Sequence, residues 1–263
     1  MPKPAAAKRA APKRAVTRRA VSKRAVPKRA VPKQKPRTKA ERRAETLEQI
    51  LDAAEYLFSK YGLNGVTLRD VALKVGVHTS LMHYYFVDKR RLFEAVFARR
   101  AGITSSRRLD ALDRYERESN GAPTVEGALR AFLDTDLDLY INGGEGWKNF
   151  AAFAAQVSNS AEGAAMMDLH FNPVVLKLIG ILRKALPDCP DVPIFWGYDF
   201  VSGALMHTLG RTGRIDRLSG GACKSEDFTA VKEHLASFMA AGFVALCAKS
   251  GKAPPSRAKP AST

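Results

Sequence analysis

Apolar residues recur every three or four positions along most of this chain, and this spacing constrains the fold more than any other feature. The clearest example lies on one side of a single segment, with charged residues on the other side: Leu47, Ile50, Leu51, Ala54, Leu57, Phe58 and Tyr61. The pattern predicts an amphipathic helix, which Gly62 can end in a left-handed conformation. Turn signals separate further helix-length segments, and strand-like alternation is not sustained. We therefore predict an all-α fold.

Residues 67–85 predict two short helices joined by a turn that contains glycine. The segment Thr67-Leu-Arg-Asp70 has the form of a capping box, in which a hydroxyl and a carboxylate satisfy the first amides of a helix. Gly76 supplies the turn, and a third helix is expected from His78 to about Tyr85. Asp88 is a suitable N-cap for a fourth helix. Short helices joined in this way are typical of a helix-turn-helix, although ordinary helical bundles contain them too.

The third predicted helix carries more polar side chains than an ordinary bundle requires. Met82 and Phe86 lie four positions apart, so both can face a core. The remaining side chains cannot all be buried beside them: His78, Thr79, Ser80, His83, Tyr84 and Tyr85. In a major groove, small polar side chains reach base edges and tyrosine hydroxyls reach phosphates. We therefore predict that residues 43–92 form a three-helix helix-turn-helix domain that binds double-stranded DNA.

The same region resembles the helix-turn-helix signature of the tetracycline-repressor (TetR) family. The resemblance rests on Thr67-Leu-Arg-Asp-Val-Ala-Leu-Lys-Val-Gly-Val-His-Thr-Ser-Leu-Met-His-Tyr-Tyr-Phe-Val-Asp-Lys89, where the glycine, aromatic and lysine positions are in register. It implies that the second and fourth helices begin at phosphates, and that the third helix faces bases and backbone. The implied DNA contacts are Thr67, Arg69, His78, Thr79, Ser80, Leu81, His83, Tyr84, Tyr85 and Lys89. Many family members carry Ser and Tyr where this chain has His78 and His83, which leaves the base preference open.

TetR-like proteins join this domain to a helical domain that binds an effector and dimerises, and the resemblance implies the same for residues 93–250. The fourth helix is expected to continue to about Glu118, and the next to start near Thr124. Later helices are expected at about 147–157, 161–186, 192–209 and 226–249, with an interruption and a kink near Pro173. The last two mix large and small residues, which suits close packing of two copies, although burial against their own chain is the alternative. A symmetric homodimer would hold its recognition helices roughly 34–36 Å apart and require a near-palindromic operator.

Aromatic, methionine and histidine side chains of the middle helices predict an apolar effector pocket with a few polar groups. The candidates are Trp147, Phe150, Phe153, Met166, Met167, His170, Phe171, Trp196 and His207. Ordinary core packing is the alternative, because such residues at helical spacing are common inside proteins. A small, largely apolar effector would bind there and change the separation of the two DNA-binding domains. The expected function is therefore that of a sequence-specific transcriptional regulator, a ligand-responsive homodimeric repressor.

The net charge of +17 is concentrated at the start of the chain. Residues 1–40 hold 15 of the 43 basic residues and no acidic ones, which leaves 28 basic against 26 acidic residues from position 41 onward. Five-residue units that open on two basic residues repeat from Lys8, and proline recurs among them. Proline prevents a continuous helix, and isolated valines cannot offset the entropy of ordering the chain. We therefore predict a disordered basic tail over residues 1–42, and a second disordered tail over residues 251–263.

Fifteen mobile cations in the basic tail would bind phosphates without reading sequence. The composition resembles the Lys/Ala/Pro-rich tails of linker histones, which favours DNA tethering. A nuclear-localisation signal, a transit peptide and a solubilising tail are the alternatives. Deleting residues 1–40 is expected to flatten the salt dependence of DNA binding without changing the preferred operator. The alternative function for the whole chain is that of a nucleoid-associated architectural protein acting mainly through this tail.

Several function classes lack their sequence signatures. The chain has no metalloprotease, hydrolase-elbow, P-loop or dinucleotide-binding motif, so an enzyme is not expected, and neither is a catalytic site or a cofactor. Its five histidines and three cysteines show no metal-ligand spacing, and the cysteines are expected to be ordinary thiols. No run of 18 apolar residues predicts a membrane span, and no apolar leader follows the basic start. A cytoplasmic, nucleoid-associated protein is expected.

Overall fold

The computed structural model describes residues 38–250, apart from the side chains of residues 162, 249 and 250. This part of the chain forms ten α-helices and no strand, so the predicted all-α class is confirmed. They are α1 (Lys39–Tyr61), α2 (Leu68–Val75), α3 (Thr79–Tyr85), α4 (Lys89–Glu118), α5 (Val125–Asn142), α6 (Glu145–Ser158), α7 (Ala161–Ala185), α8 (Asp191–Leu209), α9 (Arg214–Leu218) and α10 (Phe228–Ser250). The two predicted tails lie outside the described residues, except for residues 38–42.

The first helix starts earlier than its apolar pattern indicates. The predicted tail ends at residue 42, whereas α1 begins at Lys39, so residues 39–42 are helical. This first part of α1 is exposed and rich in Ala, Glu and Arg, which favour helices without needing a buried face. Glu41 in the first turn also suits the positive end of the helix dipole. Apolar spacing therefore marks where α1 becomes buried and misses where it begins.

The capping box at the start of α2 forms as predicted. The Thr67 hydroxyl accepts a hydrogen bond from the Asp70 amide at 3.2 Å, and the Thr67 amide donates to the Asp70 carboxylate at 2.8 Å. Gly76 ends α2 in the left-handed conformation with φ of 79°, where its amide donates to the carbonyl of Ala72 at 2.9 Å. These local bonds fix the lengths of α2 and of the turn that leads into α3.

Two hydrophobic cores hold the described helices together. One joins α1–α4 to α6 and α7, so Phe150 and Phe153 of α6 and Phe171 of α7 lie in the same cluster as the apolar faces of the predicted DNA-binding helices. The other joins α4–α8 and α10, with the rings of Tyr140 and Phe228 stacked 3.7 Å apart. The helices α4, α6 and α7 contribute to both cores, and α1 packs directly on α4 and α6.

The predicted interruption of the long seventh helix does not occur. Pro173 lies inside α7, which continues from Ala161 to Ala185. Proline removes the bond to the carbonyl four residues earlier, which is that of Leu169. Both residues are exposed, so water can satisfy that carbonyl and the helix is maintained. The short helix α9, by contrast, is not predicted by the sequence pattern.

The expectation of three ordinary thiols is wrong for two of the cysteines. Cys189, between α7 and α8, is disulfide-bonded to Cys247 of α10, with their Cα atoms 5.1 Å apart. Their separation of 58 residues matches no familiar cysteine motif, and only the packing of α10 against the body brings them together. Cys223 is free and exposed.

Two helices are long and apolar enough to cross a membrane, judged by length and composition alone: Gly163–Ala185 and Phe228–Ala248. Neither contains an uninterrupted run of 18 apolar residues. Val174, Leu178 and Leu182 of α7 are fully buried in the second core, as in the core helix of a globular domain. The outer side of α10 is different, because Phe238 and Val244 remain largely exposed there.

Candidate nucleic-acid interface and effector cavity

The helix α3 is fixed to the protein by two side chains and presents the others outward. Met82 and Phe86 are buried in the core that α1, α2 and α4 share, as their spacing predicts. None of the ten predicted DNA-contacting side chains is buried: Thr67, Arg69, His78, Ser80, His83 and Tyr84 are exposed, while Thr79, Leu81, Tyr85 and Lys89 are half-buried. The structure thus presents a polar helix surface of the kind that a major groove accepts.

His78 is the N-cap of α3, and for this reason the helix starts one residue later than predicted. Its Nδ1 accepts a hydrogen bond from the Ser80 amide at 3.3 Å and lies 2.8 Å from the Ser80 hydroxyl. In the neutral ring, an accepting Nδ1 leaves the proton on Nε2. His78 can therefore offer a donor to DNA while its other nitrogen stabilises the helix.

The two tyrosines at the end of α3 differ in their partners. The Tyr85 hydroxyl donates to the Arg43 carbonyl of α1 at 3.1 Å, so it ties α3 to α1. Tyr84 is 63% exposed. The Arg43 guanidinium lies 5.2 Å from the Tyr84 ring centre, which places a further cation beside α3. The sequence pattern does not indicate Arg43, because the exposed start of α1 has no apolar face that would fix its position.

The start of α4 carries three consecutive cations, Lys89, Arg90 and Arg91. The Asp88 carboxylate caps the helix by accepting from the Arg91 amide at 2.8 Å. Both arginines pair with Glu94, whereas Lys89 has no carboxylate partner in the part of the chain that the structure describes. Cations at a helix N-terminus oppose the helix dipole, and a bound anion relieves this repulsion. The start of α4 is therefore suited to a DNA phosphate.

The predicted effector residues do not line one common cavity. Phe153 belongs to the core around α1, where its ring centre is 4.7 Å from that of Phe93. Trp196 and His207 are exposed on α8. Met166 and His170 line a separate open groove beside α4, and burial lowers the pKa of the His170 imidazole. Residue type alone could not distinguish these positions, because helix orientation decides which side chains face inward.

Four of the candidates do meet around a small cavity among α4–α8: Trp147, Phe150, Met167 and Phe171. Its volume is about 30 Å³, and apolar side chains form most of its wall. Three polar side chains complete the wall, namely Thr104 and Arg108 of α4 and Asp136 of α5. Sequence reasoning missed this polar set, although a signal existed: Thr104 and Arg108 continue the helical spacing of the buried residues Phe97, Ala101 and Leu112.

The polar side of the cavity is built around a buried ion pair. The guanidinium of Arg108 contacts the carboxylate of Asp136 at 2.5 Å and lies 4.1 Å from the ring centre of Phe132. Burial raises the pKa of the Asp136 carboxyl, and the positive charge of Arg108 opposes that shift. Thr104 Oγ1 and Arg108 Nε are buried without a hydrogen-bond partner among the described residues, and the ion-pair atoms Arg108 Nη2 and Asp136 Oδ2 contact each other without forming a hydrogen bond.

The cavity wall is connected to α1 through Trp147. The Arg100 guanidinium lies 4.8 Å from the Trp147 ring centre, and its Nε donates to the Glu55 carboxylate of α1 at 2.6 Å. Arg99 donates to the same carboxylate oxygen at 2.8 Å, and Glu55 is only 1% exposed. Trp147 therefore contacts an arginine that also holds α1 to α4.

The helices α8 and α10 mix large and small residues, which suits either packing between two copies or packing within one chain. Their glycines show where each explanation applies. A Cβ on Gly197 of α8 would lie 2.4 Å from the Phe243 ring of α10, so Gly197 allows these helices to pack within one chain. Gly203 and Gly242 have open space at the same position. Large apolar side chains are exposed on the same two helices: Phe195, Trp196, Phe200, Phe238 and Val244. We call these five side chains the α8/α10 apolar face.

Comparisons with known proteins identify both regions of the molecule. Residues 50–96 match the sequence model of bacterial regulatory proteins of the tetR family. Residues 130–242 match that of the tetracyclin repressor-like C-terminal domain. The chain is 43% identical over 63 residues to the HTH-type transcriptional repressor BepR of Brucella suis, a match that covers 24% of this chain and 30% of BepR. It is 25% identical over 139 residues to the HTH-type transcriptional regulator BetI of Escherichia coli, which covers 53% of this chain and 69% of BetI.

Solved structures with the same fold include other regulators. A transcriptional regulator of Pseudomonas aeruginosa PAO1 has a TM-score of 0.51 at 16% identity, covering 78% of this chain and 94% of its own. HlyIIR, a hemolysin II transcriptional regulator, has a TM-score of 0.51 at 17% identity, covering 74% of this chain and 97% of its own. With a matching DNA-binding region, a matching C-terminal domain and a shared fold, this chain belongs to the tetR family of bacterial regulatory proteins.

Proposed function

We propose that this protein is a transcriptional repressor that binds a near-palindromic operator as a homodimer and releases it when an effector binds. The observation that carries the proposal is α3, which is anchored by Met82 and Phe86 and presents its polar side chains to solvent. The neighbouring cations Arg43 and Lys89 suit the phosphates on either side of a groove. We expect it to act on genomic DNA in the bacterial cytoplasm, and we assign it no catalytic activity.

The α8/α10 apolar face supports the homodimer. Covering the exposed aromatic side chains of these adjacent helices with a second apolar surface is favourable, because it removes apolar area from water. A twofold axis brings the same face of both copies together, which removes both from water at once. A dimer of this kind also places two copies of α3 on one side of the DNA, roughly one turn of the duplex apart.

The connection from the cavity to α1 supports effector control. Trp147 lines the cavity and also stacks on Arg100, which holds the buried Glu55 of α1. An effector that moves Trp147 would change this contact and shift the DNA-binding helices of each copy. Only differential affinity for the two arrangements can change operator binding, so the effector must bind the released form more tightly.

A footprint of the full chain on DNA fragments that carry its own promoter region tests this function. We expect a discrete protected site with twofold symmetry, at protein concentrations where unrelated fragments stay unprotected. Ser80→Ala and His83→Ala should weaken this footprint, while Lys148→Ala on α6 serves as a surface control. Uniform coating of all fragments, equal for these variants, would contradict the proposal and favour an architectural protein that binds through its basic tail.

A further inference from the structure

The cavity among α4–α8 contains two deeply buried polar groups that need a partner. Thr104 is 1% exposed and Arg108 is 4% exposed. Their Thr104 Oγ1 and Arg108 Nε atoms have no hydrogen-bond partner among the described residues. A buried polar atom without a partner costs free energy, and a ligand oxygen at this position would recover it. We propose, building on the function proposed above, that this cavity binds an uncharged, largely apolar effector that carries one hydrogen-bonding oxygen.

The ion pair in the cavity argues against a charged effector. Arg108 and Asp136 already neutralise each other; Arg108 is buried, and the Asp136 side chain is only 13% exposed. An anion bound to Arg108 would have to lie beside the Asp136 carboxylate and would leave a net negative charge in an apolar site. A cation would have to lie beside the Arg108 guanidinium, which already occupies the faces of Phe132 and Phe171. A neutral oxygen accepts from Arg108 Nε without disturbing this balance.

The apolar walls of the cavity determine the chemical nature of the effector apart from its oxygen. Tyr140, Trp147, Phe150 and Phe171 surround the polar atoms, together with aliphatic and methionine side chains. These surfaces favour an aromatic ring or a short hydrocarbon attached to the oxygen, because each contact removes apolar area from water. A second charged group on the effector would meet no counter-charge in these walls other than Arg108 and Asp136, which already pair with each other.

The volume of about 30 Å³ indicates that a wall must move when the effector binds. Such a volume holds about one water molecule. Trp147 is half-buried, and its ring covers the backbone of Gly143, where a Cβ would lie 2.2 Å from the ring. Gly144 follows with φ of 82°, so the segment before α6 depends on glycine conformations. We assign Trp147 as the side chain that the effector displaces, and this displacement is transmitted to Arg100.

Four molecules of similar size test the chemical class on the full chain: acetophenone, ethylbenzene, benzoate and benzylammonium. Acetophenone is neutral with one accepting oxygen, ethylbenzene lacks the oxygen, and the other two carry opposite charges. We expect acetophenone to raise the Tm by about 3 to 6 °C at about ten times its Kd. Benzoate and benzylammonium should give no rise, and ethylbenzene a smaller one. A larger rise with either charged molecule, or no rise with any of the four, would overturn the proposal.

Two variants separate the polar contacts from simple apolar binding. Thr104→Val keeps the shape of the side chain and removes its hydroxyl, so the advantage of acetophenone over ethylbenzene should shrink. Asp136→Asn leaves the charge of Arg108 uncompensated, so benzoate should become the preferred molecule. An unchanged ranking in both folded variants would show that these residues do not select the effector.

Operator binding is also measured without any added molecule, so that failure of the effector proposal can be distinguished from failure of the proposed function. If the wild-type chain protects a discrete operator but ignores acetophenone, the repressor assignment stands and the effector class is wrong. If acetophenone stabilises the chain but no discrete operator is found, the cavity assignment stands and the repressor assignment is wrong.

Discussion

At the residue scale, His78 restricts what the start of α3 can read. Its Nδ1 accepts from the Ser80 amide, so Nε2 is the ring nitrogen left for DNA, and in the neutral ring it is a donor. Donors select acceptors such as guanine N7 and O6 or thymine O4 in the major groove. The sequence leaves the base preference open at this position, because which ring nitrogen points outward depends on the cap. We therefore expect an acceptor-bearing base opposite His78 in each half-site.

Lys89 is expected to contribute affinity without specificity. Replacing it by alanine in Lys89→Ala removes one phosphate contact, which should weaken binding to operator and unrelated DNA by similar factors. The slope of log K against log salt should fall by about 1, because one fewer counterion is released. Titrations at several salt concentrations measure both quantities, and Lys148→Ala is the matched control. A loss confined to the operator would mean that Lys89 contacts a base instead.

Glu116 predicts a dependence of stability on acid pH. Hydrogen bonds from Lys177 and Lys184, each at 2.6 Å, lower the pKa of the Glu116 carboxyl from 4.5 to about 2. Because the folded pKa is below the unfolded value, this stabilisation is present above pH 4.5 and disappears as the pH falls toward 2. The group is partly exposed, so Glu116→Gln should lower the free energy of unfolding at pH 7 by only about 1 kcal/mol. The difference from wild type should vanish near pH 2 in urea titrations, and a constant difference would contradict this assignment.

At the element scale, the sequence predicts most helices but little of what joins them. The capping box of α2, the glycine that ends it and the Asp88 cap of α4 are local signals, and each lies where expected. The exposed first turns of α1 lack an apolar face, and α9 is only five residues long, so neither produces a periodic pattern. The Cys189–Cys247 bond depends on the packing of distant helices, which spacing does not report.

The candidate sites were predictable to different degrees for the same reason. The DNA-contacting residues lie on one continuous stretch of chain, so local pattern and family resemblance identify them. The cavity combines α4 with four later helices. Residue type alone places Thr104, Arg108 and Asp136 on a protein surface, and only the packing of these helices brings them to the cavity wall. Trp196 and His207 were expected in the pocket because of their side-chain chemistry, but both are exposed. Side-chain chemistry does not determine which face of a helix is buried.

The junction of α1 and α4 should depend strongly on Glu55. This buried carboxylate accepts hydrogen bonds from Arg99 and Arg100, and Glu55→Gln would leave two largely buried guanidinium groups short of negative charge. We expect a loss of about 3 kcal/mol in the free energy of unfolding. Glu48→Gln removes an exposed partner of the same Arg99 and should cost less than about 1 kcal/mol. Equal losses in urea unfolding of the two variants would show that burial of Glu55 does not matter.

At the scale of the whole molecule, the α8/α10 apolar face should control assembly and DNA binding together. Phe238 is 73% exposed, and Phe238→Glu would place a charge in the proposed dimer interface. We expect the Kd of the dimer to rise about 100-fold or more, measured by sedimentation, with a parallel loss of operator affinity. Leu176→Glu, on an exposed position of α7, is the control and should remain dimeric. A dimeric Phe238→Glu variant would place the interface elsewhere.

The central claim is that α3 of each copy reads one half of a symmetric operator. Selection of bound sequences from random DNA, carried out with the wild-type chain and with His83→Ala, tests it most directly. The wild-type chain should enrich two inverted half-sites whose centres lie roughly one duplex turn, about 10 to 10.5 base pairs, or a multiple of that distance apart. His83→Ala should relax the preference at the same position of both half-sites and leave the remaining positions unchanged. Enrichment of no symmetric site, or identical preferences for the two chains, would contradict the account.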